Sequence, residues 1–305
     1  MEEQGRELYL FLYMQEGGTR MLLFKVWKYL FFQLAFSYLD SSRVWNNTSW
    51  ADGGDMEASR GSQAFVGTAT DGLCFGGYDD TAGVAAYTSR SESYSDDAFS
   101  DATSLLRAQS GGGCGTSSTN AILPCGSLVS GNDATNQLLN TTTWSNGSDV
   151  NVNRTSYGSG GSNTDAIIAS GYGFSASDEI NTAERLDDTT WSNITAIGIY
   201  GRYSTSWGGG GETYWHIGGI QYNSPYGSPT AHVVNRTPKY WDGSSWADDT
   251  DSPTAGGTSG GKYNCHQNGG RNGNSGTEGA MFVLGKNYTA ADTHASQTSV
   301  FEATW

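Results

Sequence analysis

Basic residues, histidine, cysteine and proline are all scarce in this 305-residue chain, which contains 16 Lys and Arg, 4 His, 4 Cys and 5 Pro. Because 31 Asp and Glu oppose the basic residues, the formal net charge is −15. Nucleic-acid binding needs basic groups that neutralise phosphates, and this balance therefore argues against a nucleic acid as a partner. The acidic balance favours solubility and indicates nothing about the fold.

The four cysteines, Cys74, Cys114, Cys125 and Cys265, show no C-x-x-C spacing of the kind that zinc sites and redox pairs use. We interpret them as free or buried thiols. Cys114 and Cys125 are close enough in sequence to suggest a bridge in an oxidising compartment. In the hairpin predicted below they lie at staggered heights, which argues against a disulfide.

Metal and cofactor sites are also not indicated. No two histidines have the spacing of metal ligands. Acidic pairs such as Asp96 and Asp97 lie in or near predicted turns but lack the spacing of an EF-hand or a calcium-binding nonapeptide. The sequence therefore predicts no metal and no cofactor.

Residues 1–42 differ from the rest of the chain because they are rich in Leu, Phe and Tyr. The stretch from Met21 to Leu39 is compatible with a signal-peptide core, a short membrane anchor, an amphipathic helix or two buried strands. Lys25 and Lys28 interrupt it, and a charge at the middle of a bilayer costs roughly 3 kcal/mol. We favour packed structure for residues 1–39 and expect membrane contact, if any, only through them.

Residues 43–305 have the composition of an all-β domain. Glycine is abundant, with 43 residues, and Ser, Thr, Asn and Asp are frequent. Glycine supplies positive φ, and Asn and Asp tolerate it, so this composition predicts many short strands joined by tight turns.

Five copies of one pattern recur, each with a basic residue, a short apolar run ending in glycine, and an aromatic residue that closes a polar hairpin. The basic residues are Arg60, Arg107, Arg154, Arg202 and Lys262, and the arginines follow one another at intervals of 47, 47 and 48 residues. The glycines are Gly76, Gly77, Gly126, Gly171, Gly218, Gly219 and Gly285. The closing aromatic residues are Phe99, Trp144, Trp191, Trp246 and Trp305, and Trp50 closes a further hairpin. A period of this size indicates stacked or circular repeats.

Each copy is predicted to contain four strands. A first hairpin lies between the basic residue and the glycine, and a second hairpin ends at the aromatic residue, as in the segment from Tyr240 to Trp246. Slim apolar inner strands followed by bulky outer strands describe a blade of a β-propeller.

The pattern resembles the kelch repeat over about residues 43–305. Departures are that Ser127 and Lys286 stand where the second glycine is expected, Tyr172 follows Gly171, Phe99 replaces Trp and Lys262 replaces Arg. The resemblance implies a kelch-type β-propeller, and we prefer six blades, with residues 1–42 supplying the inner strands of the first. Five blades with an N-terminal appendage is the alternative.

The chain also looks like kelch-like proteins predicted in marine phage and metagenomic sequences, where a role in virions or tails is plausible. A propeller scaffold hosts many functions, so the resemblance alone implies none. We expect a non-enzymatic structural or interaction module, extracellular or on a virion surface, with other protein subunits or surface glycans as partners. One arginine in each blade is best explained as structural, bonding backbone carbonyls between neighbouring blades.

Two alternative functions and a possible modification remain open. Trp207, Tyr222 and Tyr226 are candidate stacking residues for a glycan-binding adhesin with its site on one propeller face. A galactose oxidase-like or glycosidase activity is less favoured, since His216 alone of the histidines falls on a predicted inner strand and local hydrogen bonds explain it better than copper. N-x-S/T sequons, which mark glycosylation only in a eukaryotic secretory route, begin at Asn46, Asn47, Asn140, Asn146, Asn153, Asn193, Asn235 and Asn287.

Overall fold

The computed structural model describes residues 42–45, 50–67, 70–79, 86–129, 131–173, 180–199, 202–210, 213–222, 232–234, 239–248, 262–265, 281–288 and 296–301. Within these ranges the chain forms 27 strands and no helix, which confirms the all-β prediction. The predictions for residues 1–39 and for their part in a first blade lie outside the described residues. So do Asn46, Asn47, Tyr226, Asn235 and Trp305.

The first described element is a two-stranded antiparallel hairpin. It consists of β1 (Arg43–Trp45) and β2 (Trp50–Asp52), with Trp45 opposite Trp50. This is the hairpin expected to end at Trp50.

Repeat one spans residues 60–102 and contains a four-stranded sheet and a smaller three-stranded sheet. Its strands are β3 (Arg60–Gly61), β4 (Ala64–Gly67), β5 (Gly72–Phe75), β6 (Tyr78–Asp79), β7 (Ala86–Tyr87), β8 (Ser91–Ser95) and β9 (Ala98–Ala102). The larger sheet has the order β4-β5-β8-β9, and β3-β6-β7 form the smaller one. The two inner and two outer strands of the predicted blade are therefore present.

Repeats two and three, residues 109–146 and 154–194, have the same four-stranded order. The strands of repeat two are β10 (Cys114–Ser117), β11 (Asn120–Leu123), β12 (Gly126–Leu128), β13 (Gly131–Asp133), β14 (Gln137–Asn140) and β15 (Thr143–Asn146). Those of repeat three are β16 (Gly158–Gly161), β17 (Asp165–Ala169), β18 (Ala183–Asp187) and β19 (Thr190–Ile194). Their sheets run β10-β11-β14-β15 and β16-β17-β18-β19, and β12 pairs with β13 as a separate hairpin.

Repeats four and five, residues 202–248 and 262–301, continue the antiparallel pattern. The strands of repeat four are β20 (Arg202–Gly210), β21 (Thr213–Tyr222), β22 (His232–Val234), β23 (Lys239–Trp241) and β24 (Trp246–Asp248). Those of repeat five are β25 (Lys262–Cys265), β26 (Met281–Tyr288) and β27 (Ser296–Phe301). Repeat four forms the order β20-β21-β23-β24, with β22 added beside β21, and repeat five forms β25-β26-β27.

The hydrophobic clusters lie between repeats. One joins repeats one and two and comprises Ala64, Val66, Leu73, Phe75, Leu105, Ala121, Leu123, Leu139 and Trp144. A second joins repeats two and three and includes Cys114, Ile122, Cys125, Tyr157, Ala166, Ile168, Leu186 and Trp191. A third joins repeats three and four and includes Ile167, Ala169, Ala183, Ile197, Tyr214 and Trp241. The sheets of repeats two and three therefore bury both faces by packing against their neighbours.

The inner strands follow one another in a row. β4 contacts β10, β10 contacts β16, β16 contacts β20, and β20 contacts β25. Four-stranded antiparallel sheets packed face to face with adjacent inner strands have the architecture of a β-propeller. The predicted fold class is therefore confirmed.

The strand order creates two different faces. Antiparallel strands in sequence place the tight turns of both hairpins at one end of every sheet, which we call the turn face. The links from second to third strand and the links between repeats lie at the other end, which we call the connection face. The turns of neighbouring repeats are bonded to each other on the turn face: Ser118 N–H donates to Asp71 Oδ1 at 3.0 Å, and Asn120 Nδ2 donates to Asn163 Oδ1 at 2.9 Å.

Candidate functional site

Repeat one holds a buried ion pair at the connection face. The Arg60 guanidinium lies 2.6 Å from Glu92 Oε1, and neither side chain has solvent exposure. Arg60 Nη1 also donates to the Arg90 carbonyl at 2.9 Å, and Glu92 Oε2 accepts the Glu57 N–H at 2.8 Å. The pair thereby fastens the segment entering the repeat to the start of its third strand.

Repeat three contains the same device. Arg154 Nη2 lies 2.6 Å from Glu184 Oε1, again with no exposure of either side chain. Arg154 Nη1 donates to the Thr182 carbonyl at 2.7 Å and to the Ser170 carbonyl at 3.1 Å. These carbonyls belong to the same repeat, so the arginine does not bond a neighbouring blade as the sequence had suggested.

Repeat two replaces the charged pair with two amides. The residue after the repeat glycine pairs across the sheet with the residue that follows the arginine. These pairs are Tyr78 with Gly61, which follows Arg60, and Tyr172 with Thr155, which follows Arg154. In repeat two the pair is Ser110 with Ser127, so Gln109 occupies the arginine position. The assignment of this position to Arg107, made from the 47-residue interval, is therefore wrong.

The glutamate position confirms this alignment. Glu92 and Glu184 lie two residues before the partners of Phe99 and Trp191, and Gln137 lies two residues before the partner of Trp144. Gln137 Nε2 donates to Gln109 Oε1 at 2.8 Å, and both side chains are fully buried.

Arg107, which is not part of the amide pair, makes one of the hydrogen bonds that Arg60 and Arg154 make in their repeats. Its guanidinium lies 2.5 Å from Asp133 Oδ2 and donates to the Thr135 carbonyl at 3.1 Å. Thr135 is the counterpart of Arg90 and Thr182, each two residues before the Glu or Gln position. An arginine therefore reaches this carbonyl in all three repeats, but in repeat two its side chain is 31% exposed.

The basic residues of repeats four and five, including the predicted Arg202 and Lys262, differ again. In repeat four Lys239 stands two residues before the partner of Trp246 and forms an ion pair with Asp248. Arg202 lies opposite Ile220 in β20, and Lys262 lies opposite Tyr288 in β25. The charge pattern of repeats one and three is therefore not shared by repeat four.

The repeat glycines are displaced by one position from the sequence alignment. Gly76 and Gly77 have φ values of 65° and 97°, and Ser170 and Gly171 have 57° and 107°. Gly171 thus matches Gly77, and Ser170 holds the left-handed position that Gly76 occupies, where a side chain is disfavoured. Gly126 matches Gly77 and is followed by Ser127, as Gly77 is followed by Tyr78. The remaining predicted glycines lie within strands: Gly218 and Gly219 in β21, and Gly285 in β26.

The tryptophans close the outer hairpins and pack toward the preceding repeat. Trp144 lies 5.2 Å from Phe75, measured between ring centroids, and its Nε1 donates to the Thr103 carbonyl at 2.9 Å. Trp246 Nε1 donates to the Thr195 carbonyl at 2.7 Å. Trp191 is as buried as Trp144, but its Nε1 has no hydrogen-bond partner in the described part of the chain. Phe99 pairs with Tyr94 across the first outer hairpin at 4.7 Å.

His216 is fully buried between repeats three and four. Its Nε2 lies 3.0 Å from Ser170 Oγ, and its Nδ1 lies 3.4 Å from the Tyr214 hydroxyl. Gly158 makes room for it, because a Cβ at residue 158 would lie 2.7 Å from Nδ1. Burial lowers the pKa of His216 from 6.5 to about 3, so the imidazole is neutral.

The described cysteines are free thiols. Cys74, Cys114 and Cys125 are all buried, and no disulfide joins Cys114 to Cys125. Burial raises the pKa of Cys74 and of Cys125 to about 12, and it also raises the pKa of Cys114. Such thiols stay protonated and are poor nucleophiles.

The predicted glycan-stacking residues do not share one face. Trp207 lies opposite Trp215 near the turn-face end of β20 and β21, whereas Tyr222 pairs with His232 at the connection-face end. From Trp215 to Tyr222 the strand rises about 23 Å. Trp207 and Tyr222 therefore belong to opposite ends of these strands, and their roles as separate candidate stacking residues stay predictions.

The connection face carries exposed apolar residues that no sequence pattern predicted. Val129 is 87% exposed beside the β12–β13 hairpin, and Leu106 is 51% exposed in the link between repeats one and two. Nearby in the chain, Tyr78 and Tyr87 pair across β6 and β7 with ring centroids 4.5 Å apart and a 2.7 Å hydroxyl contact. The turn face, by contrast, carries Asp71, Asp96, Asp97, Asp165, Asp187, Asp188 and Asp242 at or beside its turns, and its described turns contain no Lys or Arg.

Three predicted sequon asparagines are exposed on the outer strands, namely Asn140, Asn146 and Asn193. Asn153 is half-buried beside Arg154, and Asn287 lies in β26. In the described ranges, no group of three or more His, Cys, Asp or Glu side chains is arranged to hold a metal ion. The same ranges contain no helix that is long and apolar enough to cross a membrane.

Comparison with known proteins relates the chain to others through its fold. No protein-family model matches the sequence, and no curated protein matches it significantly. Among solved structures, that of YjhT superposes with a TM-score of 0.62 at 8% sequence identity. The match covers 87% of this chain and 95% of YjhT. This likeness supports the β-propeller fold.

Proposed function

We propose that the chain is a kelch-type propeller that works as a non-enzymatic interaction module in an extracellular or virion-surface assembly. Its partner is a protein subunit, which it binds with the connection face of repeats one and two. The observation that carries this proposal is the placement of Val129 and Leu106. They are the exposed large hydrophobic residues of the described chain, and both lie on this face.

The internal contacts of the repeated residues support an interaction role over catalysis. Arg60 and Arg154 form buried ion pairs inside their repeats, and the buried His216 contacts Ser170 and Tyr214. The buried thiols are held in their protonated form. The connections between strands two and three also differ among repeats, and binding residues are commonly carried by such variable segments on a rigid scaffold.

Site-specific photocrosslinking tests this proposal. A photoreactive residue at Val129 is expected to crosslink a protein subunit when the chain is incubated with the dissociated components of its native particle or surface layer. Thr142, which is exposed in a turn of repeat two, provides the matched control on the opposite face. Equal crosslinking at both positions, or crosslinking only at Thr142, would contradict the assignment of the connection face.

Glycan binding is a second candidate, supported by the Tyr78 and Tyr87 pair on the same face. Aromatic rings beside polar groups are suited to stacking on sugars. A glycan array should then show reproducible binding that Tyr87→Ala removes and that Val129→Asp leaves intact. Retention of binding in Tyr87→Ala would exclude this pair as the sugar platform.

A further inference from the structure

Repeat two contains two buried donors, on Gln109 and Arg107, that have no acceptor among the described residues. Gln109 is fully buried, and its Nε2 has no hydrogen-bond partner in the described part of the chain. The Nε of Arg107 is in the same condition. A buried donor without an acceptor costs about 1–3 kcal/mol, and such groups are usually satisfied by ordered water.

The orientation of the Gln109 amide is set by its neighbours. Gln137 Oε1 accepts the Arg107 backbone N–H at 3.2 Å, so Gln137 Nε2 must point toward Gln109. Gln109 therefore presents Oε1 to Gln137 at 2.8 Å and turns Nε2 away. Rotating the amide would bring two NH₂ groups together, which excludes the alternative.

Repeats one and three show what occupies the corresponding space. There a guanidinium extends beyond the position of the glutamine amide and donates to the carbonyl of Arg90 or Thr182. A glutamine side chain has two fewer non-hydrogen atoms than arginine. In repeat two the counterpart carbonyl, of Thr135, accepts instead from Arg107 Nη2 at 3.1 Å and has a second lone pair.

The guanidinium of Arg107 brings its unpartnered donor to the same place. Nε–H and the adjacent Nη2–H of an arginine form a rigid fork that holds two acceptors side by side. An acceptor on Nε that shares this fork with Thr135 O on Nη2 lies within hydrogen-bond reach of that carbonyl. The Arg107 backbone N–H and the Gln109 side chain also both bond the side chain of Gln137, so the two residues lie beside the same amide.

We propose that one ordered water molecule is bound in repeat two between Gln109, Arg107 and Thr135. It accepts from Gln109 Nε2 and Arg107 Nε and donates to the Thr135 carbonyl, replacing the guanidinium nitrogen that reaches this carbonyl in repeats one and three. Three hydrogen bonds are typical for a buried water. Two N–H donors facing the site oppose a metal cation and favour water.

A crystal structure of the full chain at about 1.5 Å resolution tests the proposal. The expected result is one density peak about 2.7–3.2 Å from all three atoms. In the double variant Gln109→Arg/Gln137→Glu, the new guanidinium should fill the position and the peak should disappear. An ordered Gln109 with no peak, or a Gln109 amide bonded to another protein group, would overturn the proposal.

A solution measurement keeps the test independent of crystals. In the wild-type protein, the Gln109 side-chain amide protons should show a nuclear Overhauser effect to a long-lived water. Gln137→Met is the informative variant, because it frees Gln109 to rotate and should remove that effect. Gln221, which lies at the end of β21, supplies a second glutamine resonance for comparison. Absence of the effect in a folded wild-type protein would contradict the proposed water.

Discussion

Repeats one and three bury a charged pair where repeat two buries two neutral amides. In both cases the Glu or Gln side chain accepts a hydrogen bond from a backbone N–H two residues before the Arg or Gln position. Glu184 accepts the Val152 N–H at 3.0 Å, and Gln137 accepts the Arg107 N–H at 3.2 Å. The position therefore requires an acceptor for the entering segment and a donor that faces it. Charge is one way to meet that requirement, and a pair of amides is another.

The comparison also indicates that the two positions must change together. Removing one member of a buried ion pair leaves an uncompensated charge, whereas replacing both members by neutral groups is often close to neutral for stability. Arg with Glu and Gln with Gln are both matched combinations. A mixed combination is expected to be the unstable one.

The largest effect should follow from breaking a charged pair in repeat three. Arg154→Met leaves the Glu184 carboxylate buried without its cation and should lower the free energy of unfolding by about 3–5 kcal/mol. Arg107→Met in repeat two is the matched control, since that side chain is 31% exposed and pairs with a partly exposed Asp133. It should cost about 1 kcal/mol or less. Urea denaturation followed by tryptophan fluorescence measures both, and equal losses would refute the distinction.

The neutral contact of His216 between repeats three and four should respond to acid. Because its folded pKa is about 3, the unfolded chain binds a proton below pH 6.5 while the folded chain does not. Its contribution to stability is therefore complete above pH 6.5 and is lost progressively toward pH 3, amounting to about 2 kcal/mol between pH 6.5 and 5.

Urea denaturation at these two pH values checks this expectation. His216→Gln, which retains a hydrogen-bonding group toward Ser170, should reduce the loss on acidification relative to the wild type. If the wild type and the variant lose equal stability between pH 6.5 and 5, His216 is not the group responsible.

The two buried tryptophans provide a smaller contrast between repeats. Trp144→Phe removes the bond to the Thr103 carbonyl, whereas Trp191→Phe removes an indole N–H that has no described partner. Trp144→Phe should therefore cost about 1 kcal/mol more than Trp191→Phe. Thermal unfolding of the two variants decides this, and a larger loss for Trp191→Phe would show that its indole N–H is satisfied.

The smallest effect is expected when repeat three is given the amides of repeat two. Arg154→Gln/Glu184→Gln should unfold within about 1 kcal/mol of the wild type, although Arg154→Gln alone should be strongly destabilising. The double-mutant cycle yields the coupling energy directly. Additive losses from the two single substitutions would mean that the positions are independent.

Much of the fold could be predicted from sequence because its signals are local. Apolar inner strands, turn residues such as Asp242 with Gly243, and an aromatic residue after the polar turn of each outer hairpin mark strand ends without knowledge of distant contacts. Asp242 illustrates this: the N–H groups of Ser245 and Ser244 both bond its carboxylate, and with the Ser244 hydroxyl they lower its pKa to about 2.

The site could be predicted only in part, since its alignment depends on pairing across the sheet. Arg60, Gln109 and Arg154 are spaced 49 and 45 residues apart, as are Gly77, Gly126 and Gly171, whereas Arg107 happens to fall at even intervals. Matching Gln137 to Glu92 and Glu184 by their distance from the outer turn would have revealed the shift. The exposure of Val129 had no comparable signal, because hydrophobicity alone does not tell an inward residue from an outward one.

The location of the cores between repeats has a consequence for how such a chain can grow during evolution. Neighbouring residues of β11 belong to different cores, with Ile122 packed toward repeat three and Leu123 toward repeat one. Deleting half of a repeat would strip one side of two cores at once. A whole repeat inserted between two existing repeats has two apolar sheet faces, and each of them packs against the exposed face of one neighbour. Changes in copy number are therefore tolerated in complete units, and gene duplication is expected to leave boundaries in the linking segments.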